Sequence, residues 1–191
     1  DENSGADQVV YTATADDSAD ISDGVSFSLA EGSDVAMSID ADTGEVTLAT
    51  DPDHESQDSY SFTVVATDAA GNASEGRAFA LSINDLDEIA PTVTSAATAV
   101  AIDENSGAEQ VIYTTTADDT ADITGGVSFS LAEGSDAVLS IDADTGEVTL
   151  ATNPDHESQD TYNFTVVATD VAGNTSSSQA VALSVNDLDE V

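Results

Sequence analysis

The chain has 191 residues, 39 of them Asp or Glu, and a single strong cation, Arg77, for a formal net charge of −38. Such a charge repels nucleic acid and anionic membranes, so neither is an expected partner. Cysteine is absent, which removes disulfides, thiol nucleophiles and Cys-based zinc sites.

No apolar run reaches 18 residues and no charged-then-apolar leader precedes the first motif, so neither a membrane span nor an export signal is expected within this segment. High charge with 5% aromatic residues borders on the composition of disordered chains, but 40% of residues are hydrophobic. These are phased rather than scattered. Val127, Phe129 and Leu131 alternate with Ser128 and Ser130, and Tyr162, Phe164, Val166 and Ala168 alternate with Asn163, Thr165 and Val167. A period of two turns one set inward and the other outward, as in half-buried strands.

In chain order, the opening Asp1-Glu2-Asn3-Ser4-Gly5 recurs as Asp103-Glu104-Asn105-Ser106-Gly107, an offset of 102. Aligned without a gap, residues 1–89 and 103–191 differ at 20 of 89 positions. A unit of this size is a whole domain, so two tandem domains are expected, 1–89 and 90–191. The segment 90–102 has no counterpart before the first copy, so the first domain is expected to lack its opening strand. Pro91 stiffens the connection. In the second copy, strands are expected over 93–102, 110–116, 127–131, 138–141, 147–151, 161–169 and 179–186, with no amphipathic helix. The fold class that follows is all-β: two tandem seven-stranded antiparallel β-sandwiches. Gly146 suits the left-handed position of the loop Asp142–Glu147.

With so many acids, most are solvated surface residues. The informative ones are those that a sandwich of this strand order brings together. Asp53-His54-Glu55 and Asp85-Leu86-Asp87-Glu88 fall at the end where the chain leaves the first domain. Asp118, Asp119, Asp122 and Asp170 fall at the end where it joins the second. No lysine is present to neutralise such a junction. Dense hard oxygen ligands match Ca²⁺, which takes six to eight of them in irregular geometry. Mg²⁺ retains its water more tightly. Zn²⁺ favours His or Cys, and the two histidines, His54 and His156, lie one domain apart.

These residues resemble the cadherin repeat. Glu104-Asn105, Asp155-His156-Glu157 ahead of Tyr162-x-Phe164-x-Val166, Ala168-Thr169-Asp170 and the linker Asp85-Leu86-Asp87-Glu88-Ile89-Ala90-Pro91 carry the likeness. Near-identical, Cys-free, Lys-poor copies also resemble the extender repeats of large bacterial RTX adhesins. The resemblance implies Ca²⁺ ligands at Glu2, Asp53, Glu55, Asp85, Asp87 and Glu88, with the Ile89 carbonyl, from the first domain. From the second it implies Asp118 and Asp170. Thr120 stands where the family has a second acid, which Asp119 or Asp122 replaces. Asp16, Asp17 and Asp68 form half a site at the front of the chain. Glu104, Asp155, Glu157, Asp187, Asp189 and Glu190 form the other half at its end. A further site at Asp40 and Asp42, or Asp142 and Asp144, fails the EF-hand spacing, and a plain turn is the simpler reading.

No catalytic constellation accompanies the acids. There is no Trp platform for sugars, no second His of a zinc protease, no nucleophile elbow and no phosphate loop. The expected function is that of Ca²⁺-rigidified extender repeats, extracellular on a bacterial surface, monomeric, with adjacent repeats of the same chain as partners. The competing expectation is a homophilic or ligand-binding adhesion domain of cadherin type.

Overall fold

The computed structural model describes residues 1–19, 24–123 and 125–189. The chain parts into two units, Asp1–Leu86 and Asp87–Val191. Each is all-β, and each closes around its own apolar core.

In the first unit the strands are β1 (Gln8–Thr12), β2 (Val25–Leu29), β3 (Met37–Ile39), β4 (Glu45–Leu48), β5 (Ser59–Asp68) and β6 (Arg77–Ser82). They form two antiparallel sheets in the orders β1-β4-β3 and β2-β5-β6. The inward phase of β4 and β5 places Val46, Leu48, Tyr60, Phe62 and Val64 in the core with Met37 and Ile83. Burial of such side chains stabilises by about 1.5–3 kcal/mol each before chain entropy is subtracted.

The second unit contains β7 (Thr92–Val93), β8 (Ile102–Asp103), β9 (Gln110–Thr114), β10 (Ala117–Asp118), β11 (Ser128–Leu131), β12 (Leu139–Ile141), β13 (Glu147–Leu150), β14 (Thr161–Thr169) and β15 (Gln179–Asn186). The sheets run β12-β13-β9 and β11-β14-β15-β8, with a separate β10-β7 pair. Along β14, Tyr162, Phe164, Val166 and Ala168 are all buried, as their alternation requires.

Two expectations need correction. The single strand expected over 93–102 is instead two short pieces. Val93 pairs antiparallel with Ala117, whereas Ile102 pairs parallel with Val185, so the segment crosses from one ladder to another. That pairing, with the bridge between Thr98 and Ala182, also makes the sandwich not purely antiparallel. The strand expected over 110–116 likewise stops at Thr114 and resumes as β10. The interruption at Thr115 allows its amide to donate to Gly146 O at 2.8 Å.

Gly146 has φ 71°, and a Cβ there would lie 2.5 Å from Thr115 O and 3.1 Å from the Phe129 ring. Gly146→Ala is therefore expected to destabilise the unit by about 2–4 kcal/mol, the sum of a left-handed penalty and overpacking. Urea unfolding checks this; a loss under about 0.5 kcal/mol would show that the loop relaxes freely.

Candidate metal centre

At the exit of the first unit, Glu2 is 1% exposed although it is a carboxylate in a chain of like charges. Two backbone amides hold it there. His54 N donates to Oε2 at 2.7 Å and Leu86 N to Oε1 at 2.5 Å. These bonds, His54 first, keep its carboxyl below the usual range despite desolvation. Glu2 thus ties the loop before β5 to the segment after β6. Around it, His54, Glu55 and Asp85 each offer a ligand atom within 4.8 Å of the others. His54 Nδ1 stands 3.5 Å from both Glu55 Oε1 and Asp85 Oδ2. Asp85 Oδ1 is buried without a hydrogen-bond partner. Asp53 points its oxygens at Ser56 N and Oγ, both at 2.9 Å, closing the loop.

At the leading end of the second unit, Asp87 is pushed up from the ordinary aspartate value. Desolvation is the main cause, followed by the charges of Asp170, Asp119 and Asp122, partly offset by the Ile89 amide. Asp170 directly follows β14 and is 6% exposed. Its Oδ1 accepts from Gly173 N at 2.7 Å and Asn174 N at 2.8 Å. Its Oδ2, like Asp119 Oδ2, is buried without a hydrogen-bond partner. Desolvation of Asp170 is outweighed by the backbone amides of Asn174, Gly173 and Ala172, so its carboxyl stays below the usual range. Asp122 Oδ2 accepts from Glu88 N at 3.3 Å. Asp118 is exposed and receives the Thr120 hydroxyl at 2.8 Å, so Thr120 caps an acid rather than replacing one. Ile89 is 42% exposed.

The two units differ tellingly at one amide. In the first, Asn72 caps both oxygens of Asp68, N to Oδ1 and Nδ2 to Oδ2, each at 2.7 Å. In the second, the equivalent Asn174 Nδ2 turns away to Asp87 O at 2.8 Å and leaves Asp170 Oδ2 open. Asp16, beside Asp68 in the front group, accepts from Ser18 N at 3.0 Å, and Asp17 is half-buried.

At the far end of the second unit the Glu2 arrangement repeats. Glu104 is 2% exposed and accepts from Leu188 N at 2.5 Å and His156 N at 3.0 Å. Glu104, Asp155 and Glu157 gather within 4.8 Å, as do His156, Glu157 and Asp187. Asp189 is exposed, and Glu190 lies outside the described residues. The turns at Asp40 and Asp142 use Oδ1 to accept two backbone amides, Asp42 and Thr43 or Asp144 and Thr145, as a plain turn does.

Residue-pattern reasoning overlooked His54 and His156, set aside because they lie far apart in sequence. It also overlooked Asn174, whose amide reaches Asp87. The donor set itself fits a hard cation. It is almost wholly carboxylate, several oxygens are buried yet unpartnered, and desolvation, then the neighbouring carboxylates, raise Asp87. Among the described residues no helix is long and apolar enough to cross a membrane.

A family model for the cadherin domain matches residues 1–84 and 98–186. The chain is 32% identical to human Protocadherin Fat 4 over 197 residues, covering 97% of this chain and 4% of that protein. It is 31% identical to human Cadherin-23 over 188 residues, covering 96% of this chain and 6% of that one. It therefore spans a small fraction of these relatives. Among solved structures, human Protocadherin-24 EC1-2 superposes with a TM-score of 0.67 at 20% identity, covering 87% of this chain and 83% of that one. Mouse Cadherin-23 EC22-24 gives 0.57 at 23%, covering 86% and 53%. At these identities the structures speak to fold alone, whereas the family match covers nearly the whole chain. Cadherin domains are non-enzymatic extracellular adhesion modules, and this chain belongs to the cadherin domain family.

Proposed function

We propose that the chain is a pair of Ca²⁺-dependent adhesion-type repeats, with domains at 1–89 and 90–191, that bind another cadherin-type surface. One observation carries the reading: Asp85, Asp119 and Asp170 each keep a buried carboxylate oxygen with no hydrogen-bond partner, in a chain whose one strong cation is Arg77. Glu2, Glu55 and Asp85 would hold Ca²⁺ from the first unit, and Asp87, Asp119, Asp122 and Asp170 from the second. Asp53, Glu88, Asp118 and the Ile89 carbonyl complete the proposed set. When bound, the ion supplies positive charge and accepts oxygens that would otherwise repel one another. Asp85 and Asp87 are separated by Leu86 alone, so ligands of the two groups are tied by a short stretch of backbone. Asp16, Asp17 and Asp68, and Glu104, Asp155, Glu157, Asp187, Asp189 and Glu190, would serve neighbouring repeats in the same way.

A second reading is supported by the near identity of the copies and the absence of lysine. On it, the pair is a monomeric spacer in the shaft of a bacterial RTX-type adhesin. Duplicated modules with no distinguishing surface suit reach better than recognition.

Calorimetric Ca²⁺ titration tests the shared part. Asp85→Ala with Asp87→Ala is expected to remove at least one binding event and weaken the rest about tenfold or more. An unchanged isotherm would overturn the metal assignment. Sedimentation velocity in Ca²⁺ separates the two roles. Concentration-dependent association is expected for adhesion, and a monomer at every concentration for a spacer.

A further inference from the structure

Asparagine followed two places later by serine or threonine occurs at Asn72, Asn163 and Asn174. The structure sets one of the three apart. Asn72 and Asn174 are committed to the carboxylate groups, with Asn72 Nδ2 donating to Asp68 Oδ2 at 2.7 Å and Asn174 Nδ2 to Asp87 O at 2.8 Å. Asn163 is different. It lies within β14, is exposed, and among the described residues its carboxamide has no hydrogen-bond partner.

The backbone around that side chain is held on both sides. Asn163 N donates to Asp136 Oδ2 at 2.6 Å, Asp136 N donates back to Asn163 O at 2.9 Å, and Ala182 stands opposite on β15. The period of two puts Thr165, the hydroxyl residue of the triplet, on the same outward face. Beside the pair is a hollow of about 200 Å³ walled by Ala97, Gly134, Ala180 and Ala182, all small and uncharged. In the first unit the equivalent residue is Ser61, whose hydroxyl donates to Asp34 Oδ2 at 3.3 Å. Asn163 makes no such bond, and asparagine is disfavoured in strands, so neither propensity nor local bonding accounts for it there.

We propose that Asn163 is an N-glycosylation site, and that of the three triplets it is the one whose glycan the folded chain accepts. The donor is an oligosaccharide carried on a polyprenyl diphosphate, transferred during export by a membrane-bound transferase. Asn163 Nδ2 bonds to the anomeric carbon of the first sugar, and the bond from that carbon to the diphosphate oxygen breaks. The lipid diphosphate leaves with the electron pair, and one amide proton passes to a base of the transferase. The first ring then lies over Gly134, Ala180 and Ala182, and the rest of the glycan projects into water. At Asn72 and Asn174 the same bond would set a bulky sugar where the amide meets Asp68 or Asp87, against the folded arrangement of the carboxylates. Ser61-Phe62-Thr63 has no asparagine to modify, so the near-identical units would present different faces. The inference rests on export through a glycosylating compartment and not on the metal assignment.

The test is to secrete the intact chain from a glycosylating eukaryotic cell line in Ca²⁺-containing medium. Peptide mass spectrometry follows, with and without peptide-N-glycosidase F, which leaves aspartate where a glycosylated asparagine stood. Occupancy at Asn163 is expected to exceed that at Asn72 or Asn174 by about tenfold or more, because a sugar at either of those opposes folding. Asn163→Gln and Thr165→Ala should each remove the glycan, and Thr165→Ser should keep it. Because the Asn163 side chain makes no bond, Asn163→Gln should be secreted in equal yield, and the glycosylated chain should melt no lower than this variant. Three results would overturn the proposal. They are secreted protein with Asn163 unmodified, equal occupancy at all three asparagines, or a thermal midpoint lower with the glycan than without it.

Discussion

Moving the protein from 10 mM Ca²⁺ into EDTA is expected to lower its thermal midpoint by about 6–20 °C for each ion lost. The range follows from linkage. Extracellular modules bind Ca²⁺ with Kd of about 10⁻⁴–10⁻³ M, so 10 mM is about 10–100 Kd and contributes about 1.4–2.7 kcal/mol per site. A domain of this size shifts by about 4–8 °C per kcal/mol. Sodium chloride at equal ionic strength is the control, since general screening also relieves a charge of −38. Identical midpoints in Ca²⁺ and EDTA, by scanning calorimetry, would remove the case for the metal centre.

The pH response in EDTA should carry two opposite signs. Asp87 is raised in the folded state, by desolvation and by Asp170, Asp119 and Asp122. Its contribution is fully present below the ordinary aspartate value and lost as pH rises through the raised one. Glu2 and Glu104 are lowered by backbone amides, so theirs is present above the ordinary glutamate value and lost as pH falls through the lowered one. Metal-free protein should therefore gain stability on mild acidification from neutral pH and lose it in stronger acid.

How far the sequence reveals this molecule depends on the kind of interaction. The core was legible because alternation along β14 is a local signal, and Tyr162, Phe164, Val166 and Ala168 are buried in that phase. The path of Thr92–Ile102 was not. Its residues are small and without a period, and its partners, Ala117 and Val185, lie on different strands. The acidic groups were legible in outline because Asp and Glu cluster in short runs. Their inner arrangement was hidden, since it depends on which oxygen a distant amide caps. Asn72 and Asn174 are the same residue in the same motif, yet one closes Asp68 and the other leaves Asp170 Oδ2 open. Nor could a list of acids show that Glu2 and Glu104 would be among the most buried side chains, because the amides of His54, Leu86, His156 and Leu188 that hold them are main-chain groups.

Phe164→Ala is expected to cost the second unit about 4–5 kcal/mol, the upper part of the range for truncating a buried phenylalanine. Phe164 is 2% exposed and meets Tyr113 edge-on, with ring centroids 5.5 Å apart. Val148, Leu150, Val166 and Leu183, all 0% exposed, belong to the same core and are pinned by their ladders, so little can move into the void. Phe62→Ala in the first unit should cost about 3 kcal/mol, because half-buried Phe79, stacked on it at 5.3 Å, is free to swing inward. Against a domain stability of about 5–15 kcal/mol, both losses are large. In EDTA, Phe164→Ala should split the calorimetric melt and leave the higher transition to the first unit. The core also supports the metal centre, since Asp170 follows β14 directly and takes its position from Val166 and Ala168. Weaker Ca²⁺ binding should therefore accompany the Phe164 truncation, while Phe62→Ala leaves the second unit's carboxylates in place. A loss below about 1.5 kcal/mol, with Ca²⁺ affinity intact, would mean that loop bonds such as Asn174 N to Asp170 hold the site without help from the sandwich beneath.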